Sequence, residues 1–530
     1  MRGFKSMWST ALVVGIVCSA IMVFSFPAFG AGPKGTVYHF TVPKQLNMLK
    51  DGNYYCWLPE SVTTLRCIIV HQHGCTREGD AQSLMYDLQW LTFAKKWHAA
   101  FIAPSLYTDT PGTSARCNNW YDINNGSGNT FLAGLDTLAR RSGHAEILTI
   151  PWALWGHSGG SIWVTGMLGL HPDRIAVVVA QACGTDVSGV AAALRVPVLH
   201  HNGIQDLCYN DVYFANGRKK GALWAHAINP NIIWVYNPSN QPPTVEGHAP
   251  RDLRMIAIPW MDIGLTMRLP DQAGSSQLKD MDTSNAWLGD TAAKTVASAA
   301  TFTGNKLAAC WFPNQTFAKL WAEYMAKGTI ADSAPVAPAP YNLSGTYGNK
   351  MIALKWDADA DLETGIKTFI IYRNGSALRT LQYPNAPQNL FTNVKGFQHW
   401  QDGDQPDLSP PNMTFTDSTV NDTGTYSYEV STVNWAGMPG AMSAALSLKR
   451  GQVTGINPSS AESHASRSVY SVFRITGTGK IALSAGMVDI YDLHGRLLRT
   501  VELESAGSLD VKTLLGFSAE KVLLVKNRAR

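Results

Sequence analysis

The sequence predicts an α/β protein: a doubly wound, mostly parallel sheet over its first 330 residues, then two small all-β sandwich domains. Three observations carry the prediction. Strand-like and helix-like segments alternate over residues 34–330, which implies right-handed crossovers and a sheet covered on both faces. One apolar strand runs into Gly156-His157-Ser158-Gly159-Gly160, and a helix-patterned stretch follows at once. Beyond a Pro/Ala linker at 331–339 the apolar period changes from 3.6 to 2.

Composition bounds the rest. A chain of 530 residues is too long for one core. Only 15% of residues are charged, the net charge is +4 and no basic tract occurs, which speaks against nucleic acid as a partner. The 17 tryptophans and 18 tyrosines suit either filled cores or carbohydrate-facing surfaces. Residues 1–31 read as a secretory signal peptide: Arg2 and Lys5 precede an apolar run from Ala11 to Phe29, and Ala28-Phe29-Gly30-Ala31 offers a cleavage site. The run is also long enough for an uncleaved anchor. Cys18 falls within it. Cys56, Cys67, Cys75, Cys117, Cys183, Cys208 and Cys310 follow, all in the first domain, and their odd number leaves at least one thiol free if every bond is internal. Cys183 and Cys208 flank the loop assigned below to the catalytic acid, so a bridge there would brace it. No metal-ligand spacing is present, and no metal or organic cofactor is implied.

In order, Cys67-Ile68-Ile69-Val70-His71 is a strand, 82–97 a helix and Ala100-Phe101-Ile102-Ala103 a strand. A helix over 129–142 precedes the strand of Ile150, Trp152, Leu154 and Trp155. Ile162, Val164, Met167, Leu168 and Leu170 form the apolar face of the next helix. Strands follow at 175–180, 196–200 and 232–236. Residues 271–330 read as helical, either extending the sheet domain or forming a lid near the pocket mouth.

Small residues beside Ser158 let the chain turn sharply, so that the hydroxyl stands clear of the sheet. A glycine-rich turn without chemistry has the same pattern, so its neighbours decide. Acyl transfer needs two backbone N–H groups at the developing oxyanion. Gly159 is expected to supply one. The loop HQHGCTREG at 71–79 supplies the other, from Cys75 or Thr76, with His73 and Gly74 shaping it. An ordinary turn with Thr76 as a helix N-cap is the alternative. After the elbow, the strand at 196–200 leads through a glycine-containing loop to Asp206, placed to orient a histidine; Asp186 and Asp211 compete with it. Glu246-Gly247-His248-Ala249-Pro250 follows the last predicted strand, which makes His248 the candidate general base. His200, His201 and His226 are alternatives on or beside strands. In this scheme His248 takes the Ser158 proton, Asp206 holds the imidazole tautomer, and His248 then protonates the leaving alcohol and activates water.

With Ser, Asp and His in that order, the chain resembles the α/β-hydrolase superfamily. The HGCT loop together with GHSGG looks like the secreted esterases related to polyhydroxybutyrate depolymerases and to feruloyl or acetylxylan esterases. The resemblance spans about residues 50–270 and implies Ser158, Asp206 and His248 as the triad. The segment Cys117-Asn118-Asn119-Trp120-Tyr121-Asp122 maps to no known subfamily pocket, which leaves the substrate open. Trp120, Tyr121 and Trp155 are candidates for an aromatic acyl- or sugar-binding wall; packing is the alternative, and the stronger one for Trp155.

Residues 340–449 predict about seven short strands. Ile352, Leu354 and Trp356 alternate, as do Tyr426, Tyr428 and Val430, and Asn374-Gly375 marks a turn. This stretch resembles a fibronectin type III module. Asp357, Asp359 and Asp361 lack the glycine and glutamate of a calcium loop, so they read as an ordinary inter-strand loop. An insertion at 383–411 with Phe397 and Trp400 offers a carbohydrate contact. In 450–530, VDIYDLHGRLLR and the strand Lys521–Lys526 resemble the C-terminal sorting domain of the type IX (Por) secretion system, with Gly516-Phe517 replacing the usual glycine-tyrosine. The resemblance implies contact with the secretion machinery and a secreted or surface-held protein; a small glycan-binding or domain-binding sandwich is the alternative.

Together these readings predict a secreted serine carboxylic-ester hydrolase acting on an acylated polysaccharide or a polyester. The same triad cleaves amides, so a serine peptidase is the first alternative. A non-catalytic extracellular binding protein with a hydrolase-like fold is the second.

Overall fold

The fully apolar strands predicted at the centre of the sheet form a parallel block. The computed structural model describes residues 33–60, 62–75, 80–106, 119–204, 210–231, 251–331, 338–348, 350–382, 413–421, 424–434, 436–449, 453–454, 470–475, 480–483, 486–491, 497–503, 507–510 and 521–528. It divides into two compact units, Met1–Ile456 and Asn457–Arg530.

The first unit opens with β1 (Gly35–Val42), β2 (Gly52–Pro59) and β3 (Cys67–Gln72). Helices α1 (Asp80–Ser83) and α2 (Leu88–Lys96) lead to β4 (Ala99–Ser105). Helix α3 (Ser127–Ser142), β5 (Trp152–His157), α4 (Gly159–Leu170) and β6 (Ile175–Gln181) follow. Strand β7 (Val198–Gly203), α5 (Asn210–Lys219), β8 (Trp224–Asn229) and α6 (Arg251–Arg268) complete the sheet domain's first half. The eight strands form one sheet in the order β1-β2-β4-β3-β5-β6-β7-β8. β1 and β2 pair antiparallel at one edge, and every pairing from β4 through β8 is parallel. Strands β3, β5 and β6 are buried along their whole length, as a sheet covered on both faces requires. The arrangement is a parallel-rich mixed sheet followed by small antiparallel sheets.

Several elements differ from the sequence reading. The helix expected over 82–97 is broken at Asp87. This residue is extended, and its Oδ1 accepts the N–H groups of Gln89 and Trp90, so α2 starts there with a side-chain cap. The sequence pattern favours the more apolar stretch at 232–236 over β8; that stretch lies outside the described residues. Residues 271–330 are not helical throughout. After α6 the chain forms a three-stranded antiparallel sheet from β9 (Trp287–Asp290), β10 (Thr295–Ser298) and β11 (Cys310–Phe312). Only then comes α7 (Gln315–Lys327), capped by Asn314 and ended by Gly328 at φ 76°. This region extends the sheet domain: Trp311, Phe312, Trp321 and Tyr324 join its core, and the Trp321 indole donates to the His226 carbonyl on β8 at 2.8 Å. The tryptophans mainly fill interiors; Trp57, Trp90, Trp152, Trp155, Trp163 and Trp260 are all buried.

Beyond residue 337 the unit continues as two four-stranded antiparallel sheets. One holds β12 (Tyr341–Gly348), β13 (Met351–Asp357), β16 (Thr414–Asp417) and β19 (Val453–Thr454). The other holds β14 (Thr368–Arg373), β15 (Ser376–Gln382), β17 (Thr425–Val433) and β18 (Leu446–Lys449). Ile352, Leu354, Trp356, Phe369, Tyr428 and Val430 share one core between them. Asn374 at φ 52° and Gly375 at φ 78° form the tight turn joining β14 to β15, the geometry that Asn-Gly tolerates best. The three loop aspartates are engaged by protein groups: Asp357 with Asn342, Asp359 with Tyr341 and with Lys95 of α2, and Asp361 with the Glu363 and Thr364 amides. The insertion with Phe397 and Trp400 lies outside the described residues.

The second unit, described by itself, holds a four-stranded antiparallel sheet. It comprises β20 (Tyr470–Ile475), β22 (Gly486–Tyr491), β23 (Leu497–Leu503) and β25 (Lys521–Arg528). β21 (Lys480–Leu483) and β24 (Gly507–Asp510) pair separately. Among the described residues no helix is long and apolar enough to cross a membrane.

Candidate active site

Ser158 stands between the last residue of β5 and the first of α4, at φ 54° and ψ −119°. Side chains rarely adopt that region, and the surrounding structure must hold it. The neighbouring glycines explain how. A Cβ on Gly156 would stand 2.3 Å from the Gly160 carbonyl oxygen, and one on Gly160 would stand 2.4 Å from the carbonyl oxygens of Gln72 and His73. Only glycine lets α4 approach the ends of β3 and β5 this closely. The Ser158 N–H donates to the Gln181 carbonyl at 2.8 Å, tying the elbow to β6. Gly159 opens α4, so its N–H has no acceptor within the helix and lies at the positive end of the helix dipole.

The loop after β3 comes right up to this turn. A Cβ on Gly74 would lie 3.2 Å from the Ser158 Cβ and 3.1 Å from the His157 Nδ1. His73 fixes the loop. Its Nδ1 donates to the Gly74 carbonyl at 2.6 Å, and its Nε2 accepts the Leu106 N–H at 3.0 Å. This neutral tautomer uses both ring nitrogens on backbone, and burial pushes the imidazole down to about 4. Leu106, just past β4, carried no sequence signal for this role.

Beneath the elbow lies an aromatic floor. His71 stacks on Trp155 at 4.0 Å between ring centroids, and Trp90 of α2 meets His71 edge-on at 5.2 Å. Trp155 is therefore a packing residue. Trp120 is buried, with its ring 5.2 Å from His73, and Tyr121 beside it is half-buried.

Behind the elbow, the loop after β6 is held by α4. The Ser161 hydroxyl donates to the Cys183 carbonyl, and the Thr185 N–H donates to the Thr165 hydroxyl at 2.8 Å. Cys75 and Cys183 each take part in a disulfide, whereas Cys56, Cys67 and Cys310 are free and buried.

Three histidines line up at β7 and β8 in structural roles. His201 pairs with the Tyr324 hydroxyl at 2.8 Å, and His226 with the Asn202 side chain at 3.1 Å. His200 lies against the rings of Trp224 and Phe214. Burial first, and then repulsion from His226, pushes His200 and His201 down to about 3, with His157 adding to the effect on His201; burial brings His226 to about 4. Of the competing acids, Asp186 is exposed, caps the Ser188 N–H and accepts from Asn216. Asp211 is exposed in the first turn of α5. Thr76, Asp206 and His248 lie outside the described residues. Among the described residues no group of three or more His, Cys, Asp or Glu side chains is arranged to hold a metal ion.

Within the described residues, the geometry joins a strained serine, a helix N-terminal amide and a pinned, glycine-bearing loop. No family model and no curated protein matches the chain. Solved structures resembling part of it include a thermostable esterase, at 14% identity and a TM-score of 0.30, covering 37% of this chain and 54% of that one. A cold-adapted esterase from an Arctic intertidal metagenomic library has 16% identity and a TM-score of 0.28, covering 38% and 89%. A ferulic acid esterase has 14% identity and a TM-score of 0.29, covering 37% and 90%. The chain thus spans about half the length of the thermostable esterase it resembles.

Proposed function

We propose that the protein is a secreted serine carboxylic-ester hydrolase working through an acyl-enzyme. The observation that carries this reading is the strained conformation of Ser158, held where the Gly74 loop approaches its Cβ. Strain of this kind persists at functional sites because it presents a group for chemistry. Ser158 is the nucleophile and His248 the general base, oriented by Asp206. The amides of Gly159 and of Cys75 or Thr76 receive the oxyanion. His248 passes the serine proton to the leaving alcohol and then activates the water that releases the acid. Tyr121 contributes a wall to the acyl or sugar pocket, while Trp120 supports His73. The substrate is an acylated polysaccharide or a polyester. The sandwich is a fibronectin type III-like module, and residues 450–530 carry the chain across the outer membrane to a secreted or surface-held state.

The test compares wild type with Ser158→Ala on short-chain and feruloyl aryl esters beside a panel of peptide anilides. Ester turnover that vanishes in the variant supports the reading. Turnover confined to anilides replaces it with a peptidase. Wild type and variant alike inert on both panels would leave a binding protein.

A further inference from the structure

The β-sandwich and the sheet domain share one helix, and that helix also supports the floor of the serine elbow. One side of α2 belongs to the sandwich. Leu88 is fully buried in the sandwich core, the Gln89 amide donates to the Leu362 carbonyl at 3.0 Å, and the Thr92 hydroxyl accepts the Ala360 N–H at 2.8 Å. Lys95 lies 2.6 Å from Asp359 and 5.0 Å from the centroid of the Tyr341 ring. The other side faces the sheet. Trp90 packs on His71 and Trp155, which lie on β3 and β5, the strands that lead into the His73–Gly74 loop and into the turn at Ser158.

Both ends of α2 are also fastened to α6. At the start, the buried Asp87 accepts from the buried Arg254 at 2.7 Å, and the Arg254 guanidinium lies 5.6 Å from the centroid of the Trp90 ring. At the end, Lys96 and Trp97 both bond Asp262. Helix α2 is thus clamped between the sandwich on one side and the elbow floor and α6 on the other.

We propose that the docked β-sandwich is a positioning device for the nucleophile: through Asp359, Ala360 and Leu362 it seats α2, and α2 seats Trp90 against His71 and Trp155 on the two strands that carry the His73–Gly74 loop and Ser158. The inference rests on the hydrolase reading given above and deepens it. Gln89, Thr92 and Lys95 are positioning residues; none touches the reacting atoms. Reactivity of a strained serine depends on placement, and a displacement of about 1 Å far from the chemistry can cost about a hundredfold in rate. A module merely tethered for substrate binding would affect affinity for a polymer and leave the serine untouched.

The experiment uses the full chain and a fluorophosphonate probe, which phosphonylates an activated serine with loss of fluoride and needs no substrate pocket. Asp359→Lys sets two positive charges together at the dock; Lys95→Asp combined with Asp359→Lys restores an opposite pair. Hydrogen exchange on β13 and β17 reports whether the sandwich itself stays folded, and Thr92→Val provides a second lesion from the opposite side of the dock. Expected is labelling of Ser158 slowed by about tenfold or more in Asp359→Lys and Thr92→Val. The charge-swapped protein recovers, and KM for a small soluble ester is unchanged. Labelling within about twofold of wild type in both lesions, with exchange in α2 raised, would overturn the positioning role. A wild type that takes no label at Ser158 would instead overturn the hydrolase reading and this inference with it.

Discussion

Arg254 donates from Nη1 to Asp87 Oδ2 across 2.7 Å, with both side chains buried. Asp87 is at once the cap of α2 and the counter-ion of α6, so one carboxylate holds two helices. Removing its partner leaves an uncompensated buried charge. Arg254→Met is expected to destabilise the protein by about 3–5 kcal/mol. Adding Asp87→Ser keeps a capping oxygen and removes the orphaned charge, so the double variant recovers most of that loss. Denaturant unfolding of the three proteins checks the order.

The glycines of the elbow differ in what they tolerate. Alanine normally stabilises a helix relative to glycine by about 0.5–1 kcal/mol. At Gly160 it meets two backbone oxygens at 2.4 Å, so Gly160→Ala should reverse that sign and destabilise by about 1–3 kcal/mol. At Gly74 the contacts are 3.1–3.3 Å, so Gly74→Ala should fold with little change while lowering ester turnover. Thermal unfolding and activity, measured on both variants, separate the two outcomes.

Ser158 carries backbone strain that glycine would not. Ser158→Gly is expected to raise stability by about 1 kcal/mol, whereas Ser158→Ala keeps the strain and does not. Both abolish turnover. A Ser158→Gly protein that unfolds at lower denaturant than Ser158→Ala would show that the turn is not strained.

Five buried imidazoles among the described residues make the protein acid-sensitive, His71 among them, which burial holds well below its ordinary value. His73 and His226 are pushed down to about 4, and His200 and His201 to about 3, from 6.5. Above pH 6.5 each is neutral in both states and its contribution is whole. Below it the unfolded chain takes up protons that the fold refuses, so stability falls with pH until the folded values are reached. Each histidine adds a slope approaching about 1.4 kcal/mol per pH unit within that window. His200→Phe, which suits the ring pocket of Trp224 and Phe214, should shallow the decline between pH 6 and 4 by one proton's worth. Unfolding free energies measured across that range provide the check.

The three free thiols among the described residues should be inert while the protein is folded. Burial pushes Cys67 up to about 12 and Cys310 up to about 11, and raises Cys56 further still. Alkylation at pH 8 is expected to spare all three in the native state and to modify them in denaturant, read by peptide mapping. Native labelling at any of them would show local opening of the sheet.

The sequence by itself determined the features that local sterics dictate. Gly156 and Ser158 specify a tight strand-to-helix turn because a side chain at 156 would collide with the Gly160 backbone four residues on. Continuous apolar runs such as Ile175–Gln181 specify buried parallel strands, and Asn374-Gly375 specifies its hairpin. Tertiary structure alone decided what depends on distant partners. β8, whose pattern does not single it out, is a strand because β7 offers it a paired edge. The cap that divides α2 from α1 gains its ion pair from a residue 167 positions away. His73 became a loop anchor only when Leu106 arrived beside it, and the face of α2 that holds Leu88 was given to the sandwich by residues beyond 340. Sequence periodicity records that a face is apolar; only the packed chain selects which surface covers it, because that choice is made by contacts far apart along the backbone.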